Sequence, residues 1–249
     1  MGLLESEIFI CIDCETTGLD VRNDKVIEVA AAKFTLSETL DTYENLIDPA
    51  VLIPEESIAI HGIKDDMVAG KPSLSSLLPH IFRFIGQYPI VGHGVQFDIN
   101  LLAYEAERTN IKNKIRKNPV IDTLRLARLY GKSPTNSLEV LRQHFNIQEQ
   151  GAHRAMNDVT VNIEVFKQLI KRFRTTDDIY QILKKPIDLK AMPLGKHKGR
   201  PMKEVPHEYL VWAKNQNFDK DLLYTIRKEL KQRKNNSSFN QSNNPFSFL

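Results

Sequence analysis

Two carboxylates lie two residues apart near the start of the chain, after a short apolar run. The run at residues 8–12 predicts a buried strand, and Asp13 and Glu15 follow it directly. Because side chains alternate along a strand, both acids should point to the same side. Neighbouring ionised carboxylates repel each other, and a divalent cation relieves that repulsion. Such a pair is also common on ordinary protein surfaces, so a metal site needs support from elsewhere in the chain.

Two further acids lie at predicted junctions between elements. Asp98 follows a strand-end histidine, His93, where an apolar strand runs into a helix. Asp158 comes five residues after His153, in the first turn of another predicted helix. An acid in a first helical turn also complements the helix dipole, so Asp158 alone has two interpretations. Acids at such junctions could add to a divalent-cation site formed by Asp13 and Glu15.

The remaining patterns predict the scaffold that positions these residues. Apolar strands are expected near residues 8–12, 26–34, 40–47, 89–92 and 120–122. Helical spacing is expected near residues 73–85, 96–108, 124–129, 138–145 and 155–173. Three strands with short links, followed by strands that alternate with helices, predict an α/β fold with a central mixed β-sheet flanked by helices.

The acidic motifs resemble, in order and spacing, the three motifs of DEDD-type 3′→5′ exonucleases. The residues that carry the resemblance are Asp13-Cys14-Glu15-Thr16-Thr17-Gly18, Phe97-Asp98 after His93, and His153 with Asp158. The His form of the third motif is similar to the branch that contains the proofreading epsilon subunit of bacterial DNA polymerase III. The resemblance covers roughly residues 7–172. One departure is Gly94, where this branch usually has Asn, but no carboxylate is lost.

This resemblance implies a ribonuclease-H-like fold and two divalent cations. Asp13 would bridge both cations. Glu15 and Asp158 would hold the cation that carries the attacking water, and Asp98 would hold the other. An all-oxygen ligand set favours Mg²⁺ or Mn²⁺. His153 would be the general base, and the candidates for binding the 3′-terminal nucleotide are Thr16, Gly18, Leu19, Ile60, His61 and Phe97.

Charge is distributed unevenly along the 249 residues. Residues 1–180 contain 20 Lys+Arg against 25 Asp+Glu, whereas residues 181–249 contain 14 against 6. We expect an exonuclease domain at residues 1–180, a small basic module at 186–234 and a disordered tail at 235–249, which is rich in Asn and Ser. In the module, a basic loop precedes Tyr209 and Trp212. These residues could bind nucleic acid, or the aromatic rings could form a small core that the lysines solvate.

Other classes of function are disfavoured. No apolar run is long enough to span a membrane, and no secretory signal is recognisable, so we expect a cytoplasmic protein. Cys11-x-x-Cys14 lies at a strand rather than at the start of a helix, which argues against a redox or zinc role.

Three functions remain open from the sequence. The first is trimming of single-stranded DNA 3′ ends in proofreading or repair, with a separate DNA polymerase subunit as a candidate partner. The second is an exoribonuclease that trims RNA ends, and the third is a non-catalytic nucleic-acid-binding subunit. No residue can be assigned to the 2′ position, so DNA and RNA are not distinguished.

Overall fold

Five strands form one mixed sheet in the first part of the chain: β1 (Phe9–Thr16), β2 (Val26–Phe34), β3 (Thr39–Leu46), β4 (Ile90–Gly92) and β5 (Val120–Asp122). The computed structural model describes residues 3–133, 135–148 and 154–242. The strand order is β3-β2-β1-β4-β5. Short links make β1, β2 and β3 antiparallel, whereas β4 and β5, reached through helices, run parallel to β1. β1 therefore lies at the centre of the sheet.

Helices cover both faces of this sheet. α1 (Glu55–His61) and α2 (Asp65–Val68) follow β3, and α3 (Leu74–Ile85) and α4 (Gln96–Arg108) pack on one face. The opposite face is covered by α5 (Thr123–Tyr130), α6 (Leu138–His144), α7 (Ala155–Ile170) and α8 (Thr176–Lys184). The predicted α/β fold, a mixed sheet flanked by helices, is confirmed.

The first half of β1 is buried on both faces, which explains its unbroken apolar sequence. Ile10 and Ile12 pack towards α3 and α4. Phe9 packs towards α7, where its ring lies 5.2 Å from Phe166 and 5.5 Å from Phe34. Covered on both sides, β1 is a rigid element on which to place functional side chains.

The strand is longer than its apolar run predicts. Pairing with β2 continues to Thr16, and Asp13 and Glu15 lie opposite Ala30 and Glu28. The two acids are therefore within β1 rather than in a loop after it. The hydrophobic pattern stops at residue 12 because the layer beyond it is polar, while the backbone ladder goes on.

The chain divides into two units, Met1–Leu183 and Lys184–Leu249. The second contains α9 (His207–Ala213), α10 (Lys220–Ser242) and an isolated bridge between Ala191 and Pro201. Its apolar core is formed by Met192, Met202, Val205, Leu210, Ala213, Leu222 and Ile226.

The backbone of α10 stays helical to Ser242, which differs from the disorder expected from residue 235 onward. Adding residues to an existing helix costs little, so α10 continues past Lys234 although Asn and Ser are weak helix formers. Residues 243–249, which include the rest of the predicted tail, lie outside the described residues. Within the described part of the chain, no helix combines the length and apolarity needed to cross a membrane.

Candidate active site

Three of the predicted acids meet beside the central strand. Asp13 and Glu15 come from β1, and Asp158 comes from the first turn of α7. One carboxylate oxygen from each lies within 4.8 Å of the others, an arrangement that can hold a metal ion. Alternation along β1 directs both strand acids to the face on which α7 packs, so strand and helix together form the cluster.

The fourth acid, Asp98, reaches the same region from α4 and is buried. Its carboxyl accepts hydrogen bonds from the backbone N–H and the thiol of Cys14. The register of β4 on β1 ends at Cys11, so the strand beyond it has room for this contact. Asp98 is the acid whose charge acts most strongly on Asp13, although it is outside the closest group of three.

The site holds unbalanced negative charge. Burial, followed by the charges of Asp98, Asp158 and Glu15, raises the pKa of Asp13 well above its ordinary value. Burial and the charge of Asp158 raise the pKa of Glu15 to about 7. Burial also raises the pKa of Asp98 to about 7, despite the opposing hydrogen bonds from Cys14. Carboxylates brought together at this cost fit an oxygen-binding divalent cation.

A buried ion pair fixes the start of α7. The Glu28 side chain on β2 is fully buried and lies 2.5 Å from the Arg154 guanidinium. Its second oxygen accepts a hydrogen bond from Ala155 N–H, at 3.0 Å, and so caps the helix. The sequence predicts no catalytic role for Glu28, and its partners lie more than 120 residues away along the chain. An acid within the apolar run at residues 26–34 is the signal that the sequence offers for a buried partner.

A polar network lies beneath the acids. Asn162, one turn after Asp158 on α7, contacts the Cys11 thiol at 3.4 Å and Thr123 at 2.6 Å. Thr123 contacts His93 Nδ1 at 3.1 Å, and the other ring nitrogen of His93 lies 2.8 Å from the Asn136 carbonyl. Burial lowers the pKa of His93 to about 4, so this histidine is neutral near pH 7. Its two hydrogen bonds give it a structural role.

The loop after β1 is held in shape by Asp24. The Asp24 carboxylate contacts Thr17 Oγ1 at 3.1 Å and accepts from Asp20 N–H at 2.7 Å. A Cβ at Gly18 would lie within 2.7 Å of all three atoms of this carboxyl group. Gly18 is therefore needed for close approach of Asp24.

The predicted nucleotide-binding residues differ in exposure. Leu19 is 87% exposed and Ile60 is 62% exposed. Ser57 on α1 donates to the Thr17 carbonyl at 2.8 Å, which ties the helix that carries Ile60 to the loop that carries Leu19. This bond brings two exposed apolar side chains to one region beside the end of β1.

The other four candidates are more enclosed. Thr16 Oγ1 donates to the Gly18 carbonyl at 2.6 Å, and Gly18 is half-buried. His61 is buried, and its Nδ1 accepts from Ile63 N–H at 3.0 Å. Phe97 packs partly into the core, whereas its neighbour Asp98 is the more buried of the two.

Two sequence features have structural explanations. Gly94 has a φ of +76°, a left-handed conformation that Gly adopts without strain and Asn tolerates better than most residues. Its N–H donates to Asp122 at 3.0 Å, so the loop is anchored at this position. Cys11 and Cys14 are free thiols that pack into different core clusters. Burial raises the pKa of each well above its ordinary value, which disfavours thiolate chemistry.

His153, the predicted general base, lies outside the described residues. The first described residue after it is Arg154, which Glu28 holds. The position of His153 in the sequence therefore places it directly before the anchored start of α7.

Comparison with known proteins decides the family. A family model described as "Exonuclease" matches residues 10–166, which contain all four acids and His153. The chain belongs to the exonuclease family. The resemblance to DEDD-type exonucleases is confirmed. Members of this family typically use divalent metals, and the acidic cluster is placed to bind one.

Curated relatives of this exonuclease are replication proteins. It is 31% identical over 227 residues to a DNA polymerase III PolC-type protein of Clostridium perfringens, a match that covers 88% of this chain but 14% of that protein. It is 31% identical over 164 residues to DNA polymerase III subunit epsilon of Aquifex aeolicus, covering 66% of this chain and 80% of the relative. The exonuclease thus spans about a seventh of the PolC-type relative and most of the epsilon subunit.

Solved structures share the fold. Exonuclease X in complex with 5′-overhanging duplex DNA is 23% identical, with a TM-score of 0.57, and covers 70% of this chain and 98% of that chain. A second family model, described as a putative quorum-sensing-regulated virulence factor, matches residues 180–235. The second unit of the chain is therefore similar to this family.

Proposed function

We propose that this chain is a 3′→5′ exonuclease that removes nucleotides from DNA 3′ ends, in proofreading or repair. The carrying observation is that Asp13, Glu15 and Asp158 lie within 4.8 Å of one another in a member of the exonuclease family. DNA is the favoured substrate because the relatives are named as DNA polymerase III proteins and Exonuclease X was solved with DNA. A separate DNA polymerase subunit is the proposed partner.

Two divalent cations, Mg²⁺ or Mn²⁺, are the proposed cofactors. The donors are all carboxylate oxygens, which these cations prefer. Asp13, central to the cluster, would contact both ions. Glu15 and Asp158 would complete one site, and Asp98, reaching in from α4, the other. When bound, such ions activate water and stabilise charge on the phosphoryl oxygens.

His153 is the proposed base that removes the proton from the attacking water. It immediately precedes Arg154 and Ala155, both of which Glu28 binds. An imidazole side chain ordinarily titrates near neutral pH, which suits a histidine to accept a proton from the attacking water.

The 3′-terminal nucleotide is proposed to lie against the loop after β1. Leu19 and Ile60 offer the largest exposed apolar surfaces, which can pack against any base without reading its edges. Thr16 and Gly18 would present backbone groups to the sugar and phosphate. His61 and Phe97 are more enclosed and would contribute less contact area. Contacts that do not read the edges of the base suit an enzyme that must accept all four bases.

The test is cleavage of 3′-labelled and 5′-labelled single-stranded DNA and RNA, with Mg²⁺ or Mn²⁺ and with chelator. We expect stepwise shortening of DNA from its 3′ end that requires metal. Asp13→Asn should abolish it, whereas Asp66→Asn, an exposed acid on α2, should not. Faster cleavage of RNA would replace DNA as the substrate, and cleavage from the 5′ end or in chelator would overturn the proposal.

A further inference from the structure

The second unit carries a row of aromatic side chains that the nuclease site does not use. His197 and Tyr209 lie with ring centroids 4.5 Å apart, Tyr209 and Trp212 5.2 Å apart, and Trp212 and Phe218 6.4 Å apart. Two rings of this row, Tyr209 and Phe218, pack against the small core of the unit and are half-buried. The row is thus held in place by packing rather than being mobile on the surface.

Trp212 is the exposed member of the row. It is 51% exposed, although its neighbours Leu210 and Ala213 on α9 are fully buried. A single exposed apolar side chain is ordinary. Here, however, an indole is braced by rings on two sides, so its orientation is fixed while about half of its surface faces solvent. A preorganised, exposed aromatic surface of this kind is what stacking with a nucleobase requires.

Positive charge lies beside this row. The turn that carries His197 also carries Lys196 and Lys198, and Arg200 follows; all three cations are exposed. The His197 ring contacts Tyr209, which in turn contacts Trp212, so the basic turn is about two ring spacings from the indole. The acid nearest in sequence is Glu208, one helical turn before Trp212. Cations on one side of an exposed ring can contact the phosphates of a strand whose base stacks on it.

The basic turn lies close to the aromatic row at Gly195. Gly195 has a φ of +71°, and a Cβ there would lie 2.7 Å from the Tyr209 hydroxyl. A glycine is therefore required for the basic turn to approach the aromatic row. This arrangement fixes the positions of the cations relative to the rings, which a merely solvated lysine loop would not need.

We infer that the unit from Lys184 onward binds single-stranded DNA, with a base stacked on Trp212 and phosphates contacted by Lys196, Lys198 and Arg200. The choice of DNA as the bound polymer rests on the proposed function. The case for a stacked base rests on the ring geometry alone. Binding is sequence-tolerant because every base offers an aromatic face.

The test uses the fact that the chain contains a single tryptophan, Trp212. Oligo(dT) is titrated into the full-length protein in chelator, and tryptophan emission and the anisotropy of labelled oligo(dT) are followed together. We expect quenching of the emission with the same midpoint as the anisotropy. Binding without any change in emission would overturn the inference, and so would a lower midpoint for a matched RNA. Because no cleavage occurs in chelator, either result leaves the nuclease proposal untouched.

Variants give a second, independent readout. Trp212→Ala should weaken binding roughly five- to a hundredfold, the range for loss of one stacked base. Trp212→Phe should retain most of it, because a phenyl ring also stacks. Val211→Ala, at an exposed neighbour on α9, is the matched control and should bind normally. Equal affinities for Trp212→Ala and Val211→Ala, with both variants folded by circular dichroism, would overturn the inference.

Discussion

At the scale of single residues, the acidic site combines four carboxylates that stabilise the folded state poorly by themselves. Asp13, Glu15 and Asp158 are close enough to repel one another, and Asp98 adds its charge from the other layer. The fold tolerates this unfavourable electrostatic energy because the strand and helices that hold these residues bury apolar side chains elsewhere along their lengths. A bound divalent cation would relieve this repulsion, and the relief would favour binding of the cation.

Burial of these carboxyl groups, together with this repulsion, predicts how stability depends on pH. The pKa of Glu15 and of Asp98 is about 7 in the folded protein, above the ordinary values of 4.5 and 3.8. The folded state therefore holds protons that the unfolded state has lost, and stability falls as pH rises from about 4 through about 7. In chelator, the Tm should fall as pH rises from about 4 to about 7, and saturating Mg²⁺ should reduce this fall.

Differential scanning calorimetry of three proteins measures this effect. Asp13→Asn removes one of the repelling charges and should flatten the metal-free pH dependence. Asp66→Asn, at an exposed position, should follow the wild-type curve. Each 1 kcal/mol corresponds to roughly 2–4 °C in Tm for a protein of this size. A metal-free Tm that rises over this pH range in the wild type would contradict the prediction.

At the scale of elements, Glu28 is the link between β2 and α7. Glu28→Gln removes the charge that pairs with Arg154 and weakens the cap on Ala155. We expect a loss of about 1–3 kcal/mol in the free energy of unfolding, the range for a charged hydrogen bond. We also expect a lower kcat, since the start of α7 positions Asp158.

Urea denaturation and steady-state kinetics test this link. Glu38→Gln, at an exposed position in the link between β2 and β3, is the control and should change neither quantity. The double variant Glu28→Gln/Arg154→Gln should be less destabilised than the sum of the single variants. Strict additivity would show that the ion pair does not couple the strand to the helix.

The loop after β1 gives a second prediction at this scale. Gly18→Ala places a Cβ within 2.7 Å of the Asp24 carboxyl group. We expect destabilisation of about 1–3 kcal/mol, as for other overpacked sites, together with slower cleavage because Thr16 and Leu19 are displaced. Thermal unfolding of Gly18→Ala, Asp24→Ala and the double variant measures this. The double variant should be no less stable than Asp24→Ala alone; a further loss would locate the clash elsewhere.

Much of this could be predicted from the sequence. Apolar runs located β1 and β2, and motif spacing selected Asp13, Glu15, Asp98 and Asp158. The pairing of Glu28 with Arg154 could not be predicted, because it joins residues 126 positions apart and depends on the three-dimensional register of two elements. The role of Asn162 was equally hidden, since it lies within an apolar stretch of α7 and bonds to Thr123 and Cys11.

At the scale of the whole molecule, charge divides along the chain as the fold does. The unit that carries the acidic cluster has more acids than bases, whereas residues 181–249 contain 14 Lys+Arg and 6 Asp+Glu. If the proposed function holds, an acidic catalytic region would repel a polyanionic substrate until metal is bound. A basic region in the same chain would offset that repulsion by attracting the strand over a range set by ionic strength.

This division predicts the salt dependence of single-stranded DNA binding. Each phosphate contact on a single strand contributes about 0.7 to the slope of log affinity against log salt concentration. Lys196→Ala/Lys198→Ala should therefore reduce the magnitude of the slope by roughly one to one and a half. Anisotropy titrations in chelator at several salt concentrations measure it.

The matched control is Arg227→Ala/Lys231→Ala, which removes two exposed cations from α10. This variant has the same net charge as the lysine double variant but leaves the basic turn intact. Its slope should remain close to that of the wild type. Equal reductions in the two double variants would mean that net charge, rather than the turn at Lys196 and Lys198, governs binding.

The strand order has a consequence for behaviour at high concentration. It leaves β3 and β5 at the two margins of the sheet, and β5 is only three residues long. β3 is largely exposed and carries Asp41 and Glu44 among polar neighbours. An incoming strand from another molecule would have to bury these charges against its own backbone. Charged side chains thus disfavour pairing of the β3 edge with a strand of another molecule.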